Sequence, residues 1–124
     1  MSQQIIVTTG IYDLIKEQIR RKRVTSAEEE LLTLELKNAK QVRRKELPVD
    51  VVTVNKRVTV KDQTNDKEET FVFVPTTKER KKKGKFSIMS EIGIAIVGYK
   101  QGDIIEWPFK NGARTIEITK VEAI

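Results

Sequence analysis

Residues 88–105, Ile-Met-Ser-Glu-Ile-Gly-Ile-Ala-Ile-Val-Gly-Tyr-Lys-Gln-Gly-Asp-Ile-Ile, constrain the fold more than any other stretch of this chain. Ser90 is a residue type that opens helices, because its hydroxyl accepts from a backbone N–H left without an intrahelical partner. Gly98 is the type that closes them, because it enters the left-handed region without a Cβ penalty. Gly102-Asp103 then reads as a turn, and Ile104-Ile105 as the resumption of a buried strand. Between the two caps, Glu91 to Val97 is too apolar for periodicity alone to separate helix from strand.

The remainder divides at Leu47-Pro48, where the proline disfavours helix in the residue before it. Residues 10–45 read as helices and residues 50–122 mostly as strands. In the first helix Ile11, Leu14, Ile15 and Ile19 recur at helical spacing, with Thr8 or Thr9 as the cap. Arg20, Arg21, Lys22 and Arg23 sit at its end, where cations oppose the negative end of the dipole. Val24-Thr25 is a short link into a capping-box pattern, Thr25-x-x-Glu28 or Ser26-x-x-Glu29. Leu32, Leu36, Ala39 and Val42 form the second stripe. Two amphipathic helices joined so closely are expected to pack as an antiparallel hairpin. The helix rise puts their lengths at about 20 Å and about 28 Å.

In the second segment Val52, Val54, Val58 and Val60 alternate with Thr53, Asn55, Arg57 and Thr59, until Thr64-Asn65-Asp66 breaks the pattern. Phe71 to Val74 reads as a strand ended by Pro75, Lys78 to Lys85 as a basic loop, and Phe86 to Ile88 as a short strand. Ile104 to Phe109 and Ala113 to Val121 read as a hairpin about Lys110-Asn111-Gly112, with Asn-Gly supplying both positive-φ residues of a type I′ turn. The expected architecture is α+β: a helical hairpin, or short coiled coil, over residues 1–47, then an antiparallel sheet on one short helix over residues 48–124. Because its apolar alternation is complete, the second part is expected to close its own core and fold without the hairpin.

Composition narrows the chemistry. The chain has 124 residues and neither cysteine nor histidine. That excludes disulfides, Cys/His zinc sites and Cys or Ser–His catalysis. A metal would have to be held by carboxylates and carbonyls, which suits magnesium. No cofactor motif is present. With 24 Lys+Arg against 18 Asp+Glu, the formal charge is +6, favouring acidic surfaces or nucleic acid as partners. No apolar run approaches the roughly 18 residues needed to span a membrane. The start, Met1 to Val7, lacks the basic region and apolar core of a signal peptide, so the expected location is the cytoplasm.

Four further pieces keep a fixed order with residues 88–105: Ile6-Val7-Thr8-Thr9-Gly10, Leu36-Lys37-Asn38-Ala39, Leu47-Pro48-Val49-Asp50-Val51-Val52-Thr53-Val54 and Lys110-Asn111-Gly112. The ordered set resembles the Gre family of transcription factors, and the resemblance covers nearly the whole chain. It implies an FKBP-like C-terminal domain, a curved antiparallel sheet on one short helix, and bacterial RNA polymerase as the partner, bound at the secondary channel. Full cleavage factors of that family carry a long coiled coil whose acidic tip helps hold a catalytic magnesium. The regulator-of-nucleoside-diphosphate-kinase (Rnk) branch carries a much shorter one. The short hairpin here, Ser87-Ile88-Met89 and Asp103-Ile104-Ile105-Glu106-Trp107 look closer to that branch. The chain departs from the family in having Glu91 where a proline usually follows the serine, and Met89 where the cleavage branch often has an acidic or amide residue.

The resemblance places polymerase contact at Met89, Ser90, Glu91 and Ile92. The hairpin tip is expected at Arg21, Arg23, Glu28, Glu29 and Glu30. Three consecutive helical carboxylates fan out by roughly 100° each, so they do not all face one ion; complementing the helix dipole is the simpler task for them. Lys78, Arg80, Lys81, Lys82, Lys83 and Lys85 form a candidate nucleic-acid contact, with no interleaved aromatic until Phe86 to supply stacking; the alternative is a solvated, self-repelling, mobile loop. Trp107 is either an exposed contact or, more simply, sheet packing. Leu31 and Leu34 widen the second helix's stripe and leave apolar surface for a partner. The resulting expectation is a non-catalytic regulator that binds RNA polymerase; the alternatives are a cleavage stimulator acting through Glu28 to Glu30 and a basic nucleic-acid-binding module.

Overall fold

The computed structural model describes residues 4–124, so Met1 to Gln3 of the leader reading lie outside the described residues. The chain opens with β1 (Ile6–Thr8), α1 (Thr9–Arg20), α2 (Ser26–Asn38) and β2 (Lys40–Val42). Thr8 caps α1, its hydroxyl accepting from the Ile11 N–H at 3.3 Å. Thr25 caps α2 in a complete box. Its hydroxyl accepts from the Glu28 N–H at 3.1 Å, and its own N–H donates to Glu28 Oε1 at 2.9 Å. Such a cap contributes about 1 kcal/mol.

The second helix stops seven residues short of the expected end. Ala39 already has an extended backbone, and Lys40–Val42 pairs parallel with β1, from Ile6 opposite Lys40 to Thr8 opposite Val42. Val42 therefore belongs to a strand rather than to the helical stripe. Propensity across Lys40-Gln41-Val42 is weak either way, and a partner strand distant in sequence decides it.

The second segment forms β3 (Lys56–Asp62), β4 (Lys67–Val74), β5 (Lys85–Ser87), α3 (Glu91–Ile96), β6 (Ile104–Phe109) and β7 (Gly112–Ala123). The five strands make one sheet in the order β5-β4-β3-β7-β6. All neighbours are antiparallel except β5, which runs parallel to β4, so the sheet is mixed at that edge. A register shift between Thr59 and Val60 leaves Thr119 unpaired in β7, and its hydroxyl donates to the Thr59 carbonyl at 3.1 Å.

Three local expectations shift. The alternation from Val52 to Val60 is not one strand: Asn55 takes φ 62° and β3 starts only at Lys56. The β6–β7 loop is Lys110-Asn111, with Phe109 opposite Gly112, and positive φ falls on Gly112 (123°) and not on Asn111. Ile104 is 52% exposed, whereas Ile105 is buried, as alternation along a one-sided strand requires. Other signals appear where expected. Asp66 takes φ 57° in the β3–β4 turn, and Ser90 caps α3 by accepting from the Gly93 N–H at 3.2 Å.

One buried cluster runs through the molecule. Ile5, Val7, Ile11, Ile15, Leu32 and Leu36 from the N-terminal segment join Val58, Phe73, Ile96, Trp107 and Ile118 from the sheet and α3. The join is made at Gly98, just past α3. Its N–H donates to the Val52 carbonyl at 3.0 Å, and its carbonyl accepts from the Ile6 N–H at 3.0 Å. Gly98 has φ +86°, and a Cβ there would meet Ile5 Cβ at 2.8 Å and Val7 Cγ1 at 2.9 Å.

Two outcomes follow for stability. Gly98→Ala is expected to cost about 2–5 kcal/mol, combining left-handed strain with overpacking. Gly102→Ala, at φ +96° with nothing within 4 Å of its added Cβ, should cost only the strain of about 1–2 kcal/mol; urea midpoints of the two variants check the ranking. A chain beginning at Leu47 should keep a cooperative urea transition at a clearly lower midpoint, because it loses the Ile6–Gly98 bond and the apolar cover over Trp107 and Val97. Coincident midpoints would show the N-terminal segment to be energetically separate.

Candidate functional site

The corner between β5 and α3 is built by a chain of side-chain caps. The Ser87 N–H donates to Glu79 Oε2 at 2.8 Å, and the Ser87 hydroxyl accepts from the Met89 N–H at 3.0 Å. Thr76 Oγ1 lies 2.7 Å from the same hydroxyl. Gly93 lets α3 sit against the preceding turn, since a Cβ there would come within 2.4 Å of the Ile88 carbonyl oxygen. Met89, Ser90 and Ile92 are half-buried and Glu91 is exposed. Glu91 Oε2 accepts from the Lys110 N–H at 2.8 Å, tying the start of α3 to the β6–β7 loop. The residue that stands where proline was expected therefore links two elements.

Beside this corner a cavity of about 240 Å³ opens between α3 and the sheet. Phe71, Phe86, Phe109, Ile92 and Ile116 give it apolar walls. Phe71 and Phe86 meet edge-to-face, with centroids 4.9 Å apart. Ser90, Glu91, Ile92 and Lys81 all line it, so the structure brings part of the sequence-identified corner together with one lysine of the basic loop. Of that loop's cations, Lys78, Arg80, Lys82, Lys83 and Lys85 do not line the cavity; all are exposed. Two short 3-10 turns, Thr76–Lys78 and Lys81–Lys83, shape the loop, and Gly84 closes the second at φ 76°.

The three carboxylates in the first turns of α2 do not converge on one point. Glu28 is only 3% exposed. Its Oε1 accepts from the Thr25 N–H, and its Oε2 accepts from Trp107 Nε1 at 3.2 Å. Glu29 lies 3.5 Å from Lys22 and Glu30 is exposed. Arg21 pairs with Glu17, as does Arg20, and Arg23 is exposed. Those two guanidiniums hold the Glu17 carboxyl below the usual carboxylate range. Trp107, 1% exposed, is packing and not a free contact. No cluster of metal-ligating side chains occurs among the described residues.

Sequence reasoning missed two polar pairs because each joins residues distant in the chain. Arg114 Nη1 donates to the buried Asp62 at 3.2 Å, 52 positions away. The Tyr99 hydroxyl donates to Glu35, 64 positions away, in a groove between α2 and β6 that also carries Leu31, Leu34 and Ile104. Leu34 is 57% exposed, so the apolar surface expected on this helix is present. Burial pushes the Glu35 carboxyl up to about 7, with the Tyr99 hydrogen bond pulling the other way. Burial, and then the Glu35 charge, push the Tyr99 hydroxyl upward.

Because the folded value lies above the ordinary 4.5, Glu35's contribution to stability is full below that value and is lost as pH rises through about 7. Glu35→Gln is expected to flatten the fall in urea midpoint between about pH 5 and about pH 8, and to raise the midpoint at the higher pH. An unchanged pH slope would remove Glu35 as its source.

Comparison with known proteins locates this architecture. The family described as transcription elongation factor, GreA/GreB, C-terminal, matches residues 47–123. Transcription elongation factor GreA of Clostridium botulinum (strain Hall) is 38% identical over 86 residues, covering 69% of this chain and 54% of that protein. GreA of Clostridium beijerinckii is 37% identical over 83 residues, covering 67% and 52%. The chain thus spans about half the length of the curated relatives it matches. A prokaryotic transcription elongation factor GreA/GreB from Nitrosomonas europaea superposes with TM-score 0.68 at 25% identity, over 98% of this chain and 99% of that one. The GreA factor homolog 1 of Thermus thermophilus shares the fold, with TM-score 0.51 at 15% identity over 98% of this chain and all of that one.

Proposed function

Because the chain belongs to the GreA/GreB family of transcription elongation factors, we propose that it is a regulator that binds bacterial RNA polymerase near the secondary channel and has no catalysis of its own. Met89, Ser90, Glu91 and Ile92 are the contact surface in this reading. In this reading α1 and α2 stand for the family's coiled coil in shortened form, beside an FKBP-like domain of residues 48–124, the arrangement of the Rnk branch. The location is the cytoplasm, where RNA polymerase works; no helix among the described residues is long and apolar enough to cross a membrane.

The observation that carries this reading is the fate of the acidic cluster. A tip that assists phosphodiester cleavage has to present carboxylates to a metal ion at the polymerase centre. Here both oxygens of Glu28 are occupied by Thr25 and Trp107. The two helices have 12 and 13 residues, or about 18–20 Å by helix rise. Lys22 accompanies Glu29, which weakens capture of a second cation. Reach and charge both point to occupying the channel mouth, in competition with longer factors.

The experiment is a stalled, backtracked elongation complex incubated with magnesium and the purified protein. The expected outcome is retention on RNA polymerase and competition with a full-length cleavage factor, without release of short 3′ fragments. Rapid fragment release, lost in a Glu29→Gln, Glu30→Gln variant, would overturn the reading in favour of a cleavage factor.

A further inference from the structure

The groove between α2 and β6 reverses the charge of the molecule around it. The chain carries a formal charge of +6, yet no cation lines this groove, and its charged lining groups are Glu35 and Glu106. Neither carboxylate belongs to an ion pair among the described residues. Glu106 is exposed. Glu35 gives Oε2 to the Tyr99 hydroxyl, while its Oε1 accepts no hydrogen bond among the described residues and is not sealed from solvent. That oxygen is open to an incoming donor.

The same groove gathers exposed apolar surface. Of the six large hydrophobic side chains exposed among the described residues, three line it: Leu31, Leu34 and Ile104. Leu31 and Leu34 lie one turn apart on α2, and Ile104 opens β6, the outermost strand on that side of the sheet. Single exposed apolar side chains need no explanation, but several gathered in one concave place mark a surface for another molecule.

Charge and size restrict the occupant. Two unpaired carboxylates repel a nucleic acid or any other polyanion. A metal ion is no better suited, since no cluster of metal-ligating side chains occurs among the described residues. At about 580 Å³ the groove has room for several side chains. Arginine and lysine meet both demands at once, because their aliphatic stems cover apolar surface while their charged heads reach outward. A cationic N–H on a carboxylate is also among the stronger hydrogen bonds.

We propose that this groove docks a basic amphipathic segment of a partner protein, whose aliphatic side chains lie on Leu31, Leu34 and Ile104 and whose arginine or lysine pairs with Glu35 and Glu106. The site is separate from the Met89 to Ile92 corner, so the inference goes beyond the polymerase reading. Docking is also sensitive to pH. The titratable groups that face Glu35 are Tyr99, with Asp103 acting on that hydroxyl, and Glu106 from β6. Glu28, two turns earlier on α2, is held by Thr25 and Trp107, and Lys100, next to Tyr99 in the chain, does not line the groove. Burial keeps the Glu35 carboxyl protonated up to about 7. An arriving cation favours the ionised form, so the segment binds more tightly as pH rises through that value.

The test uses the full chain, isotopically labelled for nuclear magnetic resonance, and the blocked peptide acetyl-Ala-Arg-Leu-Ala-Arg-Leu-Ala-amide. Saturable shifts are expected at the amides of Leu34, Glu35 and Ile104, with binding several-fold tighter at about pH 8 than at about pH 6. Glu35→Gln should weaken binding about tenfold at the higher pH and remove most of the pH dependence. Leu34→Ser should also weaken it about tenfold; Leu34 is exposed, so that variant keeps its fold. The same peptide with glutamate in place of arginine should not bind. Absence of a saturable shift up to about 10 mM peptide, equal binding of the glutamate peptide, or undiminished binding in Leu34→Ser would each overturn the proposal. So would sedimentation showing a dimer that Leu34→Ser dissociates, because a second copy would then be the occupant. No polymerase is present in this assay, so its failure leaves the polymerase reading standing.

Discussion

Everything in this molecule converges on the single turn at Gly98. The residue sits between two backbones, donating to Val52 on one side and accepting from Ile6 on the other. The approach of β1 depends on the missing Cβ, which would otherwise meet Ile5 and Val7. The turn thus decides three things at once: where α3 ends, how the segment around Val52 is held although it is not a strand, and how closely the N-terminal helices approach the sheet. A rigid joint of this kind suits a small domain, in which little surface can be buried and each shared contact counts for more.

The second constraint is the path of a buried charge. Glu28 completes the cap of α2 and accepts from Trp107, the largest fully buried side chain. A buried carboxylate is tolerated only when its hydrogen bonds are made, so the start of α2 is fixed against β6 as firmly as an apolar contact would fix it. The first turn of α2 is thereby held against β6 by a carboxylate, while its last turn gives way to the strand that pairs with β1.

Local signals were legible in the sequence wherever a residue's own backbone settled the matter. Thr25, Ser90, Gly98 and the Thr64-Asn65-Asp66 turn all act within a few positions of themselves and mark helix starts, a helix end and a turn where the pattern put them, although β3 starts at Lys56 and not Val52, and β4 at Lys67 and not Phe71. Features decided by partners distant in the chain were not legible. Lys40–Val42 becomes a strand because β1 lies beside it, and Lys85–Ser87 because it pairs, in parallel, with Val72–Val74 of β4. Of the candidate site, the corner residues and Lys81 were readable, but not their meeting at one cavity. Arg114 and Asp62 carry ordinary surface identities, and only the fold buries one and stacks the other. Nothing in the sequence around Glu35 marks it as buried; its partner Tyr99 lies 64 positions away.

The irregularity at Thr119 has a consequence for how this sheet tolerates change in length. On one side of it Ile116 and Ile118 face the core; on the other, Val121 does, opposite Val58. The two halves of β7 are in antiphase, and Thr119 is the spacer that keeps both faces correct. Loss of a residue elsewhere in the strand would invert one half, turning Glu117 inward and Ile116 and Ile118 outward, or Lys120 inward and Val121 outward. Loss of Thr119 itself would merge the halves into one uninterrupted alternation with every core residue still pointing inward. The strand thus carries, in the middle of a sheet, one position whose deletion keeps the inward-facing set intact, at the cost of the Thr119–Thr59 hydrogen bond.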